Sequence, residues 1–224
     1  MNATTLARGR GLRRAGLLAC SITMAAGSAA APAAAQAPEQ QPATLSVSVR
    51  HHVLSGGVVA ARGVLSTGDT GRTVVVRVRT RGGWKKVDRT HTVEGGRFRA
   101  HWRASSPGRF RVRARVRATG TAPAVSRRAR GRVHVYRRAP ASWYGPGFYG
   151  RRTACGRTMS PGILGVAHKT LPCGTHVTLR YRGRSVTVPV IDRGPYAGGR
   201  VYDLTAATKR RLRFGSTGTV LSTR

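Results

Sequence analysis

From Ala141 to Arg224 the only acidic side chains are Asp192 and Asp203, so any carboxylate chemistry of this segment rests on those two. Asp192 follows an alternating apolar run and precedes Gly194-Pro195. That context holds a carboxyl group at a strand end, where it can give or take a proton. The plain alternative is a turn Asp bonding its own backbone. Asp203 opens the run Asp203–Leu212 and is either a second proton-transfer group or a helix cap. Cys155 and Cys173 form an even pair suited to a disulfide in an oxidising compartment. Two cysteines with no His pair at ligand spacing make a poor zinc site, so no metal and no cofactor is expected.

The elements that must position these residues are short strands. Ala141–Gly145 reads as a strand ending in a turn, and 147–156 as a glycine-punctuated loop. Val166–Leu171 reads as another strand. Thr175–Tyr181 and Ser185–Ile191 alternate about Arg182-Gly183-Arg184 and predict a hairpin. Pro189 removes a ladder donor, which predicts an edge or an interruption there. Asp203–Leu212 predicts a short helix capped by Asp203 or Thr205, with basic residues near its end, and Gly218–Ser222 a closing strand.

The first half is also all-β. Leu45–Val49, Val58–Leu65, Thr73–Thr80, Gly83–Arg89, Arg97–Trp102, Arg109–Arg117 and Arg132–Tyr136 carry apolar residues at alternate positions. Seven such strands predict an immunoglobulin-like β-sandwich over 45–137. Arg109–Arg117 has one apolar face and a ladder of arginines on the other. His51-His52 reads as a surface pair at a strand end. Residues 138–141, with Pro140, predict a linker, and a second domain over 142–224.

Arg8, Arg10, Arg13 and Arg14 precede an uncharged apolar run, and Ala35-Gln36-Ala37 has the small-residue form of a cleavage site. This predicts a signal peptide over 1–37, a leader over 38–44 and a secreted, cell-wall-associated protein. Leu17-Leu18-Ala19-Cys20 leaves lipid anchoring at Cys20 as an alternative, and Arg13-Arg14 a twin-arginine signal. No later stretch is long and apolar enough to span a membrane. Losing four arginines and no acids takes the formal charge of +35 to +31. Export argues against nucleic acid and leaves anionic wall polymers as the polyanionic partner. The bias to Arg over Lys also fits a GC-rich coding sequence.

Ala141–Gly145, Arg152–Gly156, Val166–Gly174, Val190–Pro195 and Tyr202–Thr205 together resemble, in order and spacing, the successive motifs of the rare lipoprotein A (RlpA)-like family. The resemblance covers nearly all of 141–224 and none of the first half. It implies a six-stranded double-psi β-barrel with a short helix, a fold shared with expansins and some lytic transglycosylases. It further implies action on peptidoglycan glycan strands, cleaved with formation of a 1,6-anhydro sugar. Asp192 and His168 match the family's site aspartate and histidine, and Asp203 an aspartate important in expansin-like barrels.

One position departs from the family. Where its enzymes carry Glu, directly after the Gly of the Thr-Ala-x-Gly motif, this chain has Arg157. A permanent cation replaces a carboxylate there. Two readings follow. In one, a lytic transglycosylase works through Asp192 with His168 or Asp203. In the other, an expansin-like binding module holds glycan without cutting it, using Trp143, Tyr144 or Tyr196 as stacking faces and Arg157 and Arg193 for anionic groups.

Overall fold

A computed structural model of the chain describes residues 42–120 and 122–224. The expected signal segment, the alternative anchor at Cys20 and most of the leader lie outside the described residues. The first half contains β1 (Leu45–Val49), β2 (His52–Leu54), β3 (Val58–Leu65), β4 (Thr73–Thr80), β5 (Gly83–His91), β6 (Arg97–Arg103), β7 (Gly108–Phe110), β8 (Val112–Val116) and β9 (Val125–Arg128). Seven of them form two antiparallel sheets, ordered β1-β3-β6 and β5-β4-β8-β9. Alternation aims Val59, Ala61 and Leu65 of β3 and Phe98 of β6 at Val74 and Val76 of β4 and Val112, Ala114 and Val116 of β8, giving one shared core. Each Val, Leu or Phe buried there contributes about 1.5–3 kcal/mol.

The expected strand over 109–117 is two strands. β7 pairs with β10 (Val133–Tyr144), whereas β8 pairs with β4. The period-two pattern runs unbroken through Arg111, so it cannot mark where the chain changes sheets. Two short strands, β2 and β9, were not expected, because His-Val-Leu and Val-Ser-Arg-Arg carry too little alternation to stand out.

The predicted linker over 138–141 is strand instead. β10 runs alongside β2 and β7 through Tyr136, and then alongside β15 (Gly218–Ser222) and β14 (Tyr202–Thr205). Ala139 and Ala141 point into the second core and are almost fully buried. Pro140 falls after the pairing with β2 ends and before that with β14 begins, so on that side its missing N–H breaks no ladder.

The second half closes on itself. With β11 (Val166–Ala167), β12 (His176–Tyr181) and β13 (Arg184–Asp192), the order is β14-β11-β13-β12-β15-β10, and β10 also pairs with β14. Six strands therefore form a ring, two of whose pairings, β10–β14 and β11–β13, are parallel. Val177, Leu179, Val188, Val190, Tyr202 and Leu204 fill it. Pro189 is not on an edge, because a closed ring has none. It occupies the last register pair with β12, opposite His176, where a lost donor is tolerated.

The helix α1 (Ala206–Leu212) follows β14 directly. Thr205 caps it by accepting from the Thr208 amide, and Lys209, Arg210 and Arg211 lie in its last turn, where the dipole favours cations. Asp203 is therefore not the cap: it lies in β14. The strand expected over 166–171 stops at Ala167. His168 Nδ1 accepts the amides of both Thr170 and Leu171, which turns the backbone out of extension.

Candidate active site

The ring aligns residues far apart in sequence. Asp192 of β13 is paired with Ala167 of β11, Ala167 with Asp203 of β14, and Asp203 with Ser142 of β10. Neighbouring strands lie about 4.8 Å apart, so the two carboxylate-bearing positions are about 10 Å apart, with only the Ala167 methyl between them. Val166, Leu204 and Ala141 alternate with Ala167, Asp203 and Ser142 and face the barrel core, whereas Asp192 shares the parity of the core residue Val190 and comes opposite Ala167 through a register shift between β11 and β13.

Each carboxylate is held by the backbone or by a neighbour. Asp192 Oδ1 accepts the amides of Ala154 (2.9 Å) and Arg193 (2.8 Å). Asp203 Oδ1 accepts from the Ser142 hydroxyl and lies 4.0 Å from Arg200 Nε. Tyr144 follows Ser142 by two on the same face of β10. Its hydroxyl is buried and meets no partner in hydrogen-bond geometry. Burial, then the charge of Asp192 and a close polar contact with its carboxylate that falls outside strict hydrogen-bond geometry, then the charge of Asp203, push its pKa up, so it stays protonated and remains available as a donor next to both carboxylates.

Two loops brace Asp192. The turn 153–157 presents the Ala154 amide, and Arg193 donates to the carbonyls of His168 (3.2 Å) and Leu171 (2.9 Å). A disulfide joins Cys155 to Cys173 across these loops, with Cα atoms 5.7 Å apart. Asp192 and Asp203 are half-buried, and Ala167 and Ser142 in the same row are buried. A cavity of about 520 Å³ lies elsewhere, in the first half against Trp102 and Phe110.

A family model described as lytic transglycolase matches residues 137–221. The C-terminal domain belongs to the RlpA-like double-psi β-barrel family. The chain is 52% identical over 80 residues to the "Probable endolytic peptidoglycan transglycosylase RlpA" of Synechocystis sp., a match covering 35% of this chain and 25% of that protein. To the endolytic peptidoglycan transglycosylase RlpA of Campylobacter jejuni it is 44% identical over 81 residues, covering 35% and 30%. To that of Neisseria meningitidis serogroup B it is 43% identical over 81 residues, covering 35% and 34%. The chain thus spans between a quarter and about a third of the length of these relatives.

Within the RlpA-like barrel the other expected site residues divide. His168 sits beside the site with its backbone amide on the Asp192 carbonyl (3.1 Å), and its ring lies 5.1 Å from that of Tyr202. Because Nδ1 accepts two amides, only Nε2 is left to meet a substrate. Burial first, then Arg137 and Arg193, lower its pKa and keep it neutral. Arg193 is engaged by the loop it holds, not free for an anionic substrate. Arg157 is exposed, and its backbone closes the 153–157 turn against Thr153, in the loop that braces Asp192.

Trp143 is adjacent to Tyr144 in β10 and therefore points the other way. It packs against the barrel core with the Lys209 ammonium 3.6 Å from its ring centroid, so it does not share the Asp192–Asp203 face as a stacking residue. Tyr196 is 80% exposed in the loop beyond Asp192. Sequence reasoning overlooked Phe148, half exposed and edge-on to Tyr144 with ring centroids 5.6 Å apart, and the exposed Tyr149 beside it. Two adjacent aromatics in the loop Gly145-Pro146-Gly147-Phe148-Tyr149, which has no core to enter, were the signal available.

Proposed function

We propose that the chain is an exported, cell-wall-associated protein whose RlpA-like barrel cleaves peptidoglycan glycan strands as a lytic transglycosylase. The observation that carries this is the register that sets Asp192 and Asp203 on either side of Ala167, with the protonated Tyr144 hydroxyl beside both. In the reaction the 6-hydroxyl of the sugar attacks its own C1 and the bond from C1 to the leaving oxygen breaks. Asp192, entering as the acid, gives its proton to that leaving oxygen and takes one from the 6-hydroxyl. No water is consumed, and the product is a 1,6-anhydro sugar. One carboxyl can serve both steps because the attacking hydroxyl belongs to the substrate. Tyr144 donates to the carboxylate form, and His168 holds the loop beside it through the Asp192 carbonyl. Phe148, Tyr149 and Tyr196 offer exposed ring faces along the strand.

The strand orders β1-β3-β6 and β5-β4-β8-β9 support the immunoglobulin-like reading of the first half, since they correspond to A-B-E and to C-F-G with one added strand. Its role here is that of a spacer and wall-binding module. The exposed Arg157, where the family carries Glu, favours a second reading, in which the barrel binds glycan and does not cut it.

The deciding experiment is mass spectrometry of purified sacculi incubated with the protein. Release of anhydro-muropeptides is the expected result. Retention on sacculi with no such release would replace the enzyme by the binding module.

A further inference from the structure

The outer face of the sheet β5-β4-β8-β9 carries an alignment of charge that folding alone does not favour. Lys86 is paired with Arg77, Arg77 with Arg113, and Arg113 with Arg128, an unbroken row of cations across all four strands. Like charges directly opposite one another in a sheet are destabilising. Val74, Val76, Val112 and Ala114, of opposite parity, fill the core, so the row is on the outer face. Among the described residues no acidic side chain is paired with it. Among the described residues of this half, Asp69 is paired with Arg72, Asp88 accepts the amides of Arg89 and His101, and Glu94 sits in the turn before β6.

The row is held in place at its centre. Trp84 lies beneath it, with the Arg113 guanidinium carbon 4.5 Å and that of Arg128 5.9 Å from the ring centroid. Arg113 Nε is buried and has no hydrogen-bond partner. Burial, then Arg77, Arg128, Arg115 and Arg79, lower the Arg113 pKa below its ordinary value, which reports how closely the cations are crowded. The aromatic face of Trp84 is already occupied, so this surface reads charge and not sugar rings.

We infer that this face binds a linear polymer bearing phosphate groups, laid across the strands along Lys86, Arg77, Arg113 and Arg128. Strand spacing sets neighbouring residues of the row about 5 Å apart at the backbone. A planar carboxylate matches one guanidinium in bidentate fashion, whereas the non-bridging oxygens of a tetrahedral phosphate diverge and can bridge two neighbouring guanidiniums. The choice of a wall polymer over a nucleic acid rests on the exported, wall-associated reading above; the cation row does not.

The test is binding of the full chain to inorganic polyphosphate, polygalacturonate and a single-stranded oligonucleotide. Polyphosphate should bind at least ten-fold more tightly than polygalacturonate. Arg77→Glu/Arg113→Glu/Arg128→Glu should weaken polyphosphate binding at least ten-fold. Arg62→Glu/Arg97→Glu/Arg99→Glu, an equal charge change on the three-stranded sheet, should weaken it less than three-fold. Equal losses in the two variants would reduce the effect to net charge and overturn the proposal. Equal affinity for polygalacturonate would overturn the assignment to phosphate, and tighter binding of the oligonucleotide the assignment to a wall polymer. Should the first variant fail to fold, arginine-specific modification of the wild type decides: polyphosphate should protect Arg77, Arg113 and Arg128 but not Arg62 or Arg99, and equal protection of all five would sink the idea. None of these readouts depends on glycan cleavage, so failure of the enzyme reading leaves the result interpretable.

Discussion

At the scale of single residues, the proposed reaction depends on one carboxylate that moves a proton and one hydroxyl held beside it. Asp192→Asn keeps the two amide contacts at Oδ1 in shape but removes proton transfer, a step typically worth about 10² to 10⁴-fold. Release of anhydro-muropeptides should fall by that factor while retention on sacculi persists. Equal release from wild type and variant would leave Asp203 as the remaining carboxylate of the barrel. Tyr144→Phe removes a buried hydroxyl that has no hydrogen-bond partner, so thermal stability should hold or rise. Cleavage should fall about ten-fold or more if that hydroxyl acts on the reacting groups. A parallel loss of stability and cleavage would make it a packing residue. Arg157→Glu restores the family carboxylate and should raise activity, measured by the same assay.

At the scale of elements, two features can be tested through stability. The disulfide joins the loops that brace Asp192, with a sequence separation of 18. In the chain-entropy model a loop of this length contributes about 3 kcal/mol. Cys155→Ser/Cys173→Ser should lower the denaturant midpoint accordingly, and two free thiols in the purified protein would contradict the bridge. The second feature is β10, shared by both halves. Its His134 faces His52 across the β2 pairing, with a buried Nδ1 that has no partner. Burial, then His52, Arg109, His51 and Arg132, lower its pKa from 6.5 to about 4. Between those values the unfolded chain binds a proton that the folded chain refuses. Stability should therefore fall as pH drops from about 6.5 towards 4. Denaturant melts across that range should show the slope in the wild type and a flatter one in His134→Phe.

At the scale of the whole molecule, the proposed wall association should be mainly electrostatic, because the formal charge is +35, or +31 without the four arginines of the expected signal peptide. Exposed charges are screened beyond about 10 Å at 0.1 M salt and about 3 Å at 1 M. Binding to purified walls should fall steeply over that range, and undiminished binding at 1 M would assign it to the aromatic rings. The sequence by itself determined what depends on local pattern. Period-two alternation was enough for the hairpin β12–β13 and for most strands of the first half, since one face of each must be buried. The ordered motifs from Ala141 to Thr205 were enough for the barrel. Tertiary structure alone decided what depends on pairing between distant strands. Pro140 reads as a break until the ring shows that no ladder needs its N–H there. His168 reads as strand until its ring accepts two amides. The row from Asp192 through Ala167 and Asp203 to Ser142 exists because β11 pairs in parallel with β13 and β10 with β14. No spacing along the chain encodes that register. The cation row on the first half has the same origin: Lys86, Arg77, Arg113 and Arg128 are ordinary outward residues in sequence, and only the ladder sets them side by side.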